Sequence, residues 1–454
     1  MIFCLVLIVH LCTFYHIVAE EASSPLILTP YLDKNDIETA RTLSKVTPDI
    51  GGVTSYAGYF TVNKTCNSNL FMWFFPAKKD WLAAPVILWL QGGPGSSSMY
   101  GLFELVGPFN SFPSGIQARN YSWNNLSNLL FIDNPVGAGF SFSSGGSGCY
   151  ADSIDVVVEG LYSALTQFFQ LFSELKNNKL FLTGESFAGH YIPPLAVKIH
   201  KMIEQNSTSM NLKGTVIGNP LLKLDCHDYG SYLYQLGIAD RKLRDNLYRY
   251  QFRLKLNVLF KNYSAAYDNW DYILNNLIGD NTDIPSRYNI LTENPDPSNY
   301  FDYVVTPAVR DQINVGNVNY SDTNWDAYFS LSHTIAQPFS SSVEELLKTR
   351  KYIVGFYSGQ LDIICMYTST VCILNGLRWY GSKDYLSADR KIWYQNDQVV
   401  GWFKTADNLL LDILIKDAGH SAPYYKPEAT YIMIESIISA PPGTNPLWKL
   451  KTSD

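Results

Sequence analysis

Three side chains, widely spaced along the chain, have the types and the order needed for nucleophilic catalysis: Ser186, Asp362 and His420. A serine hydroxyl becomes a nucleophile when a histidine accepts its proton. An acid then holds that histidine in one tautomer and stabilises its charged form. The three residues therefore predict acyl transfer through a covalent serine intermediate, provided that the fold brings them together.

Ser186 lies in the run GESFAG at residues 184–189, between a short apolar segment and a stretch compatible with a helix. This pattern is typical of a nucleophile elbow, a sharp strand-to-helix turn that exposes the serine hydroxyl. Gly184 and Ala188 flank the serine at the two positions where a large side chain would crowd the turn. The alternative is a tight turn in which the serine caps a helix.

The acid and the histidine each follow a strand signal of their own. Asp362 comes after the β-rich segment 352–357, and His420 comes after the apolar run 409–415 and a pair of small residues. The alternatives are an aspartate that caps the next helix and a histidine with a structural role. Serine, acid and histidine in this order, each after a strand, are the arrangement of the α/β-hydrolase fold.

The segment 87–98, ILWLQGGPGSSS, reads as a buried strand followed by a glycine-rich turn. In this fold one oxyanion donor comes from such a turn and the other from the residue after the nucleophile. The backbone N–H groups of Gly93 and Phe187 are therefore the predicted oxyanion hole. An ordinary turn is the alternative, and a phosphate loop is excluded because no Lys-Ser or Lys-Thr pair follows.

Five segments, in family order, resemble those of the serine carboxypeptidases. They are WLQGGPGSSS (89–98), DNPVGAGFSF (133–142), GESFAGHYIPP (184–194), GQLDII (359–364) and AGHSAPYYKP (418–427). Two further stretches, 69–77 and 163–172, look most like the vitellogenic-like branch of that family. The resemblance spans about residues 55–438. It implies an α/β-hydrolase fold with a mixed, mostly parallel central sheet and an inserted, mainly helical cap, and release of single residues from peptide C-termini without a cofactor.

The resemblance also implies how the substrate's terminal carboxylate would be bound. Glu185 and the side-chain amide of Gln91 occupy positions that bind it in the family, and Glu104 stands one residue before the family's second acid. A carboxyl group donates a hydrogen bond to a carboxylate only when it is protonated, so this binding improves as the pH falls. We therefore expect the best activity at acidic pH. The alternative for Glu185 is a solvent-facing or ion-paired acid.

The odd number of cysteines means at least one free or intermolecular thiol, and the sequence does not give the pairing. Beyond the N-terminal segment there are five cysteines: Cys66, Cys149, Cys226, Cys365 and Cys372. The last two are predicted to lie on one helix, too far apart to pair with each other. Ser96 stands where many members of the family have cysteine, so the resemblance implies that their disulfide at this point is absent. No zinc-like spacing occurs, and no metal is predicted.

The chain divides into four predicted parts. Residues 1–19 are an apolar signal peptide; 20–220 form the first part of the α/β-hydrolase core; 221–342 are the inserted cap; 343–454 complete the core. The cap is assigned where Tyr and Asn rise and strand-helix alternation is lost. The segment 56–75 predicts an antiparallel hairpin at the edge of the sheet.

The signal peptide predicts secretion or delivery to an acidic, lysosome-like compartment. Six glycosylation sequons support this route: Asn63, Asn120, Asn125, Asn206, Asn262 and Asn319. The net charge of −7, without an extended basic cluster, makes nucleic acid an unsuitable partner. No span crosses a membrane in the predicted mature chain, and the oligomeric state stays open, with a homodimer as one option. The functional alternatives are an acyltransferase or esterase on the same triad, or a catalytically silent secreted binding protein.

Overall fold

The computed structural model describes residues 24–293, 298–441 and 443–452. The predicted signal peptide, 1–19, lies outside the described residues. Among those described, no helix is both long and apolar enough to cross a bilayer.

Thirteen strands are present in the described residues. They are β1 (Tyr56–Asn63), β2 (Ser68–Phe75), β3 (Val86–Leu90), β4 (Phe109–Phe112), β5 (Gly115–Ala118), β6 (Asn128–Ile132), β7 (Phe142–Ser143), β8 (Leu180–Glu185), β9 (Leu212–Gly218), β10 (Ile353–Gly359), β11 (Lys391–Gln395), β12 (Gln398–Ala406) and β13 (Leu410–Ile415).

Sixteen α-helices are found in the same part of the chain. They are α1 (Thr29–Asp33), α2 (Ile37–Ser44), α3 (Ile154–Leu171), α4 (Ala188–Glu204), α5 (Tyr229–Gln235), α6 (Arg241–Leu259), α7 (Tyr263–Tyr272), α8 (Gly279–Thr282), α9 (Ser298–Val304), α10 (Pro307–Gln312), α11 (Trp325–Leu331), α12 (Ser340–Lys348), α13 (Tyr367–Gly376), α14 (Ser382–Ser387), α15 (Ala422–Tyr425) and α16 (Pro427–Ser439). Two π-helical turns, Gly101–Leu105 and Ile273–Ile278, add to them.

The main sheet has the strand order β1-β2-β6-β3-β8-β9-β10-β13-β12-β11, and the short β7 pairs with β2. The six central strands from β6 to β13 are parallel, while the pairs at both ends of the sheet are antiparallel. The edge hairpin predicted for 56–75 is the β1–β2 pair. The prediction of a mixed, mostly parallel α/β-hydrolase sheet is thus confirmed.

Side chains of the central strands alternate between two apolar cores, one on each face of the sheet. In β3, Val86, Leu88 and Leu90 point into the core that α3 and α4 cover, while Ile87 and Trp89 point into the core beside α16. Because both faces of a parallel sheet are buried, such strands are continuous apolar runs rather than alternating ones. The apolar segments around the predicted site are therefore strands that hold their following loops at one edge.

Between β9 and β10 the described chain forms helices α5 to α12 and no strand of the sheet. The predicted cap boundary at residue 342 falls inside α12, which packs on α4 and β10. Two isolated bridges tie this region to the core loops, Ser96 to Thr323 and Gly139 to Ser321. The hydroxyl of Ser96 also lies 3.0 Å from that of Thr323, so a hydrogen bond joins the two segments at this point.

Two disulfides are formed, Cys66–Cys149 and Cys226–Cys372, and Cys365 is a free, buried thiol. The odd count predicted such a thiol. The predicted helix that carries both Cys365 and Cys372 begins only at Tyr367, so Cys365 precedes it. Oδ1 of Asp362 accepts a hydrogen bond from the N–H of Cys365. Residues 362–365 therefore form a turn before the helix begins.

Candidate active site

Ser186 occupies the turn between β8 and α4, at the carboxyl edge of the central parallel strands. Its backbone is left-handed, with φ at 64°, a conformation that is strained for a residue with a side chain. Its N–H donates to Gly218 O at 2.9 Å, and its carbonyl accepts from Gly189 and Leu221. These bonds to two neighbouring segments hold the strained turn in place, as a nucleophile elbow requires.

Two glycines let the backbone segments around the serine approach each other. A Cβ on Gly184 would lie 2.3 Å from Leu90 O, and a Cβ on Gly92 would lie 2.7 Å from Phe187 N and 2.8 Å from Glu185 O. Such distances are below any ordinary contact. Gly184 and Gly92 are therefore required because the end of β3 and the turn after it lie directly against the elbow.

The predicted oxyanion donors belong to these two touching turns. Within the described residues, neither the N–H of Gly93 nor that of Phe187 has a hydrogen-bond acceptor. Gly93 lines the cavity above Ser186 and has φ at 108°, which is a glycine conformation. Both N–H groups are thus unpaired beside the serine, as donors reserved for a transient anion would be.

His420 and Asp362 form a hydrogen-bonded pair. Nδ1 of His420 lies 2.7 Å from Oδ2 of Asp362, and both side chains are buried. The N–H of His420 donates to Tyr288 O at 2.7 Å, and the Tyr288 ring meets the imidazole edge-on. Burial alone lowers the pKa of His420, but the charge and hydrogen bond of Asp362 outweigh burial and raise that pKa above its ordinary value.

Asn219 is a partner of this pair that the sequence analysis did not single out. Its Nδ2 donates to Oδ2 of Asp362 at 2.7 Å, and its Oδ1 accepts from the N–H of Gly359. Asn219 follows β9 with φ at 41°. The available signal was the Gly-Asn-Pro after a buried strand, since asparagine tolerates the left-handed region and turns the chain.

Ser186 and His420 both line a cavity of about 310 Å³. Its other lining residues are Gln91, Gly93, Ser96, Tyr100, Glu185, Leu221, Trp270, Tyr288, Asp322, Ile364, Cys365 and Ser421. Four of these belong to the segment predicted as the cap: Leu221, Trp270, Tyr288 and Asp322. The segment between β9 and β10 therefore supplies one wall of the cavity, mostly apolar and aromatic.

Glu185 is fully buried beside the serine and is not a surface acid. Its Oε1 accepts from Nε2 of Gln91 and from the hydroxyl of Ser421, each at 3.1 Å. Its Oε2 has no partner among the described residues. Tyr100 lies 3.2 Å from Ser421 through their hydroxyl oxygens. Ser421 and Tyr100 are polar members of the cavity that the sequence analysis missed, since only packing joins them to Glu185.

Burial raises the pKa of Glu185 from its ordinary value of 4.5 to about 7, and the opposing effects of His420, Gln91 and Ser421 are smaller. A carboxyl group in this position is neutral in mildly acidic solution and can then donate a hydrogen bond from its unpartnered oxygen. The structural alternative for Glu185, a solvent-facing or ion-paired acid, does not fit its surroundings.

Glu104 lies in the π-helical turn Gly101–Leu105 and does not line the cavity. The hydroxyl of Ser111 donates to its Oε1, and its charge raises the pKa of Arg119 against the larger lowering effect of burial. Burial raises the pKa of Tyr100, and the charges of Glu185 and Glu104 raise it further. The role of Glu104 in carboxylate binding stays a prediction.

Asp362, Cys365 and His420 offer ligand atoms that all lie within 4.8 Å of one another. Burial raises the pKa of Cys365, followed by the charges of Asp362 and Glu185. Hydrogen bonds join the three residues: Nδ1 of His420 is bonded to Asp362, and Asp362 accepts from the N–H of Cys365. These contacts account for the cluster as part of the histidine–aspartate arrangement.

Five of the six sequon asparagines are exposed, at positions 63, 120, 206, 262 and 319, and Asn125 is half-buried. Asn262 caps α7 with its Oδ1, and Asn63 accepts from the N–H of Cys66 in the same way. Glycosylation uses the amide nitrogen, which both caps leave available.

Comparison with known proteins agrees with this geometry. The family model described as serine carboxypeptidase matches residues 47–440. The chain belongs to the serine carboxypeptidase family. Among curated relatives it is similar to the venom serine carboxypeptidase of Apis mellifera, with 40% identity over 425 residues that cover 90% of each chain.

Two further relatives belong to the branch suggested by the sequence. The probable serine carboxypeptidase CPVL of Homo sapiens is 38% identical and the vitellogenic carboxypeptidase of Aedes aegypti 35% identical, each covering 92% of this chain and 90% of its own. The fold is similar to Kex1(delta)p, a prohormone-processing carboxypeptidase from Saccharomyces cerevisiae, with a TM-score of 0.76, 22% identity and coverage of 88% of this chain and 96% of that one. The predicted family, fold and enzyme class, a serine-type carboxypeptidase, are confirmed.

Proposed function

We propose that this serine carboxypeptidase uses Ser186 as nucleophile, His420 as general base and acid, and Asp362 as the partner that orients the histidine. The observation that carries the proposal is the elbow serine with φ at 64°, in one cavity with a histidine whose Nδ1 is bonded to a buried aspartate at 2.7 Å. Because Nδ1 is occupied, Nε2 is the nitrogen that exchanges protons with the serine.

The reaction follows from these roles. The Ser186 oxygen attacks the carbonyl carbon of the last peptide bond as His420 takes the hydroxyl proton. The tetrahedral intermediate collapses when His420 gives this proton to the leaving nitrogen, which releases the C-terminal residue and leaves an ester on Ser186. Water then attacks the ester, His420 takes one of its protons and returns it to the serine oxygen, and the shortened peptide leaves.

The N–H groups of Gly93 and Phe187 stabilise the oxyanion in both halves of the reaction. Each such donor contributes about 3–4 kcal/mol in comparable enzymes. The touching turns after β3 and β8 fix the two donors before substrate arrives, since the missing Cβ of Gly92 lets the turns meet. Such preorganisation is the largest electrostatic contribution available to this site.

Protonated Glu185, supported by Gln91, binds the substrate's terminal carboxylate and so limits cleavage to C-termini. The unpartnered Oε2 supports this role, as does a pKa of about 7. Above that pH the buried carboxylate repels the substrate's own carboxylate, so peptide binding weakens. Activity is therefore favoured in mildly acidic surroundings, consistent with secretion or an acidic vesicle along the secretory route.

The test uses release of leucine from benzyloxycarbonyl-Phe-Leu by the purified protein and by Ser186→Ala, Asp362→Asn and His420→Ala. We expect wild-type release that a fluorophosphonate blocks, and losses of several orders of magnitude in the variants without a loss of folded protein. Undiminished release by Ser186→Ala would disprove the assignment. Ester hydrolysis without peptide hydrolysis would favour the esterase alternative, and no reaction with the fluorophosphonate would favour the silent binding protein.

A further inference from the structure

Helix α6 has an unusual outward side. Its 19 residues pack through Leu243, Leu247 and Leu254, which are buried against α5 and α7 at the spacing of one helical face. The solvent-facing side of such a helix normally carries polar side chains. In α6 that side carries large apolar side chains as well as charged ones.

The exposed residues on that opposite side, continued through Lys261, are called the outer face of α6 here. Its apolar members are Tyr248, Phe252, Leu256, Leu259 and Phe260, whose exposures are 40%, 62%, 36%, 72% and 76%. The positions 248, 252, 256 and 259 repeat every three to four residues, so their side chains form one stripe along the helix. Two phenylalanines and two leucines in a continuous stripe mark a contact surface.

The same face is strongly basic. Its exposed cations are Arg241, Lys242, Arg249, Arg253, Lys255 and Lys261. The acid within 241–261 is Asp245, which lies 2.8 Å from Arg244 and 3.9 Å from Arg241. The sequence-based view that the chain lacks an extended basic cluster overlooks this helix, because apolar residues separate its charges. This cationic face contrasts with the net charge of −7 of the whole chain, and its charge complements that of an anionic surface.

We infer that the outer face of α6 docks the protein onto an anionic lipid surface, with the apolar stripe in the headgroup region and the flanking cations on the lipid charges. An amphipathic helix with phenylalanine and leucine between lysine and arginine is the usual form of such a contact. A second copy of the chain is a poor occupant, because a two-fold contact would set the six cations of one copy against those of the other. A helix side that projects outward also offers no groove for a peptide.

The contact would bring the cap, and not the core, to the membrane. Helix α6 packs on α7, which carries the cavity residue Trp270. Docking therefore holds the protein by the segment that lines its cavity, close to peptides at the membrane surface. The inference does not depend on the proposed catalytic roles, because binding to lipid requires no turnover.

The experiment is sedimentation of the full secreted protein with vesicles of phosphatidylcholine alone, or with one third phosphatidylserine, at physiological salt. We expect binding to the anionic vesicles only. Arg249→Gln with Arg253→Gln should weaken binding about 25-fold, since each cation contributes about fivefold near such a surface. Phe252→Ser with Phe260→Ser should weaken it by at least about tenfold. The matched control replaces Lys78 and Lys79, exposed on the core, with glutamine and should bind as the wild type does.

Absence of binding to anionic vesicles would overturn the inference. So would binding of both double variants that is as tight as that of the wild type, or binding of the wild type that is as tight to neutral as to anionic vesicles. A dimer that Phe252→Ser with Phe260→Ser dissociates would assign the face to a second copy instead. The sequon at Asn262 lies two residues beyond Phe260, so binding that occurs only after glycan removal would also contradict it. Thermal melting of each variant verifies its fold, independently of catalytic activity.

Discussion

Replacing Glu185 with glutamine removes a titrating carboxyl group, which we propose must be protonated when the enzyme binds a peptide. The carboxyl group is buried, and burial raises its pKa from 4.5 to about 7. Below pH 7 the neutral acid donates to the substrate's carboxylate, and above it a buried anion opposes that carboxylate. At pH 8 only about a tenth of the free enzyme keeps the proton, so the KM of the wild type for peptides should be about tenfold above its acidic value.

In the Glu185→Gln variant the amide donates a hydrogen bond at every pH. Its KM for benzyloxycarbonyl-Phe-Leu should therefore stay level from pH 5 to pH 8 and fall below that of the wild type at pH 8. The charge of Glu185 also raises the pKa of His420, after the larger contributions of Asp362 and against the lowering effect of burial. The acid limb of kcat/KM should consequently move to lower pH in the variant. A blocked amino acid ethyl ester, which has no terminal carboxylate, should show neither KM effect.

The Glu185→Gln substitution also changes how the free energy of unfolding depends on pH. The folded-state pKa lies above the unfolded value, so the stability that the proton confers is full below pH 4.5 and is lost as the pH rises through 7. The difference between 4.5 and about 7 corresponds to about 3 kcal/mol. Glu185→Gln, which does not titrate, should therefore gain about 3 kcal/mol over the wild type between pH 4 and pH 8, measured by denaturant unfolding.

The control is Glu38→Gln, an exposed acid in the first turn of α2, for which the KM for the peptide should not change. A wild-type KM for the peptide that is level across pH 7 would exclude Glu185 from carboxylate binding, as would the same dependence of KM on pH in the variant and the wild type. If the free energies of unfolding of the variant and the wild type differ by the same amount at pH 4 and at pH 8, Glu185 is not a buried, neutral acid.

Three further predictions concern how the site is held. Asn219→Gly keeps the left-handed backbone but removes a donor to Asp362, so kcat should fall roughly tenfold or more and the acid limb should move to higher pH. Gly92→Ala pushes the two turns apart, and kcat should fall about 10²- to 10³-fold with a small change in KM. Replacing the Cys226–Cys372 pair with alanines, at a separation of 146 residues, should cost about 2–5 kcal/mol in denaturant unfolding under non-reducing conditions.

Each of these has its own contradicting result. An Asn219→Gly variant with reduced kcat but an unmoved acid limb would indicate a purely structural role. Gly376→Ala is a suitable control for Gly92→Ala, since a Cβ on Gly376 would meet open space. Equal losses of kcat in both variants would exclude the close approach of the two turns as the cause. Unchanged stability without the disulfide would mean that the cross-link does not restrict the unfolded chain.

The parts of the site that could be predicted from the sequence are those fixed locally. The elbow around Ser186 depends on a strand, a turn and a helix that are adjacent in the chain, so a short pattern indicates all three. The order of Ser186, Asp362 and His420 is likewise visible, because each follows an apolar run long enough to form a buried strand. The parallel centre of the sheet follows from those runs.

The parts that could not be predicted depend on contacts between distant segments. Asn219 and Ser421 reach Asp362 and Glu185 across 143 and 236 residues, and no pattern links them. Glu104 is offset by one residue, and in a helical turn one residue changes the direction of a side chain by about 100°. The outer face of α6 also requires the structure, since only exposure separates an apolar stripe on the surface from one in the core.

Locating a fluorophosphonate label determines whether Ser186 is the catalytic nucleophile. The protein is titrated with the reagent, and both the labelled peptide and the remaining release of leucine from benzyloxycarbonyl-Phe-Leu are measured. We expect one label per chain, on Ser186 and no other serine, with activity falling in proportion to labelling. A label on another serine, or full activity with Ser186 completely labelled, would contradict this expectation.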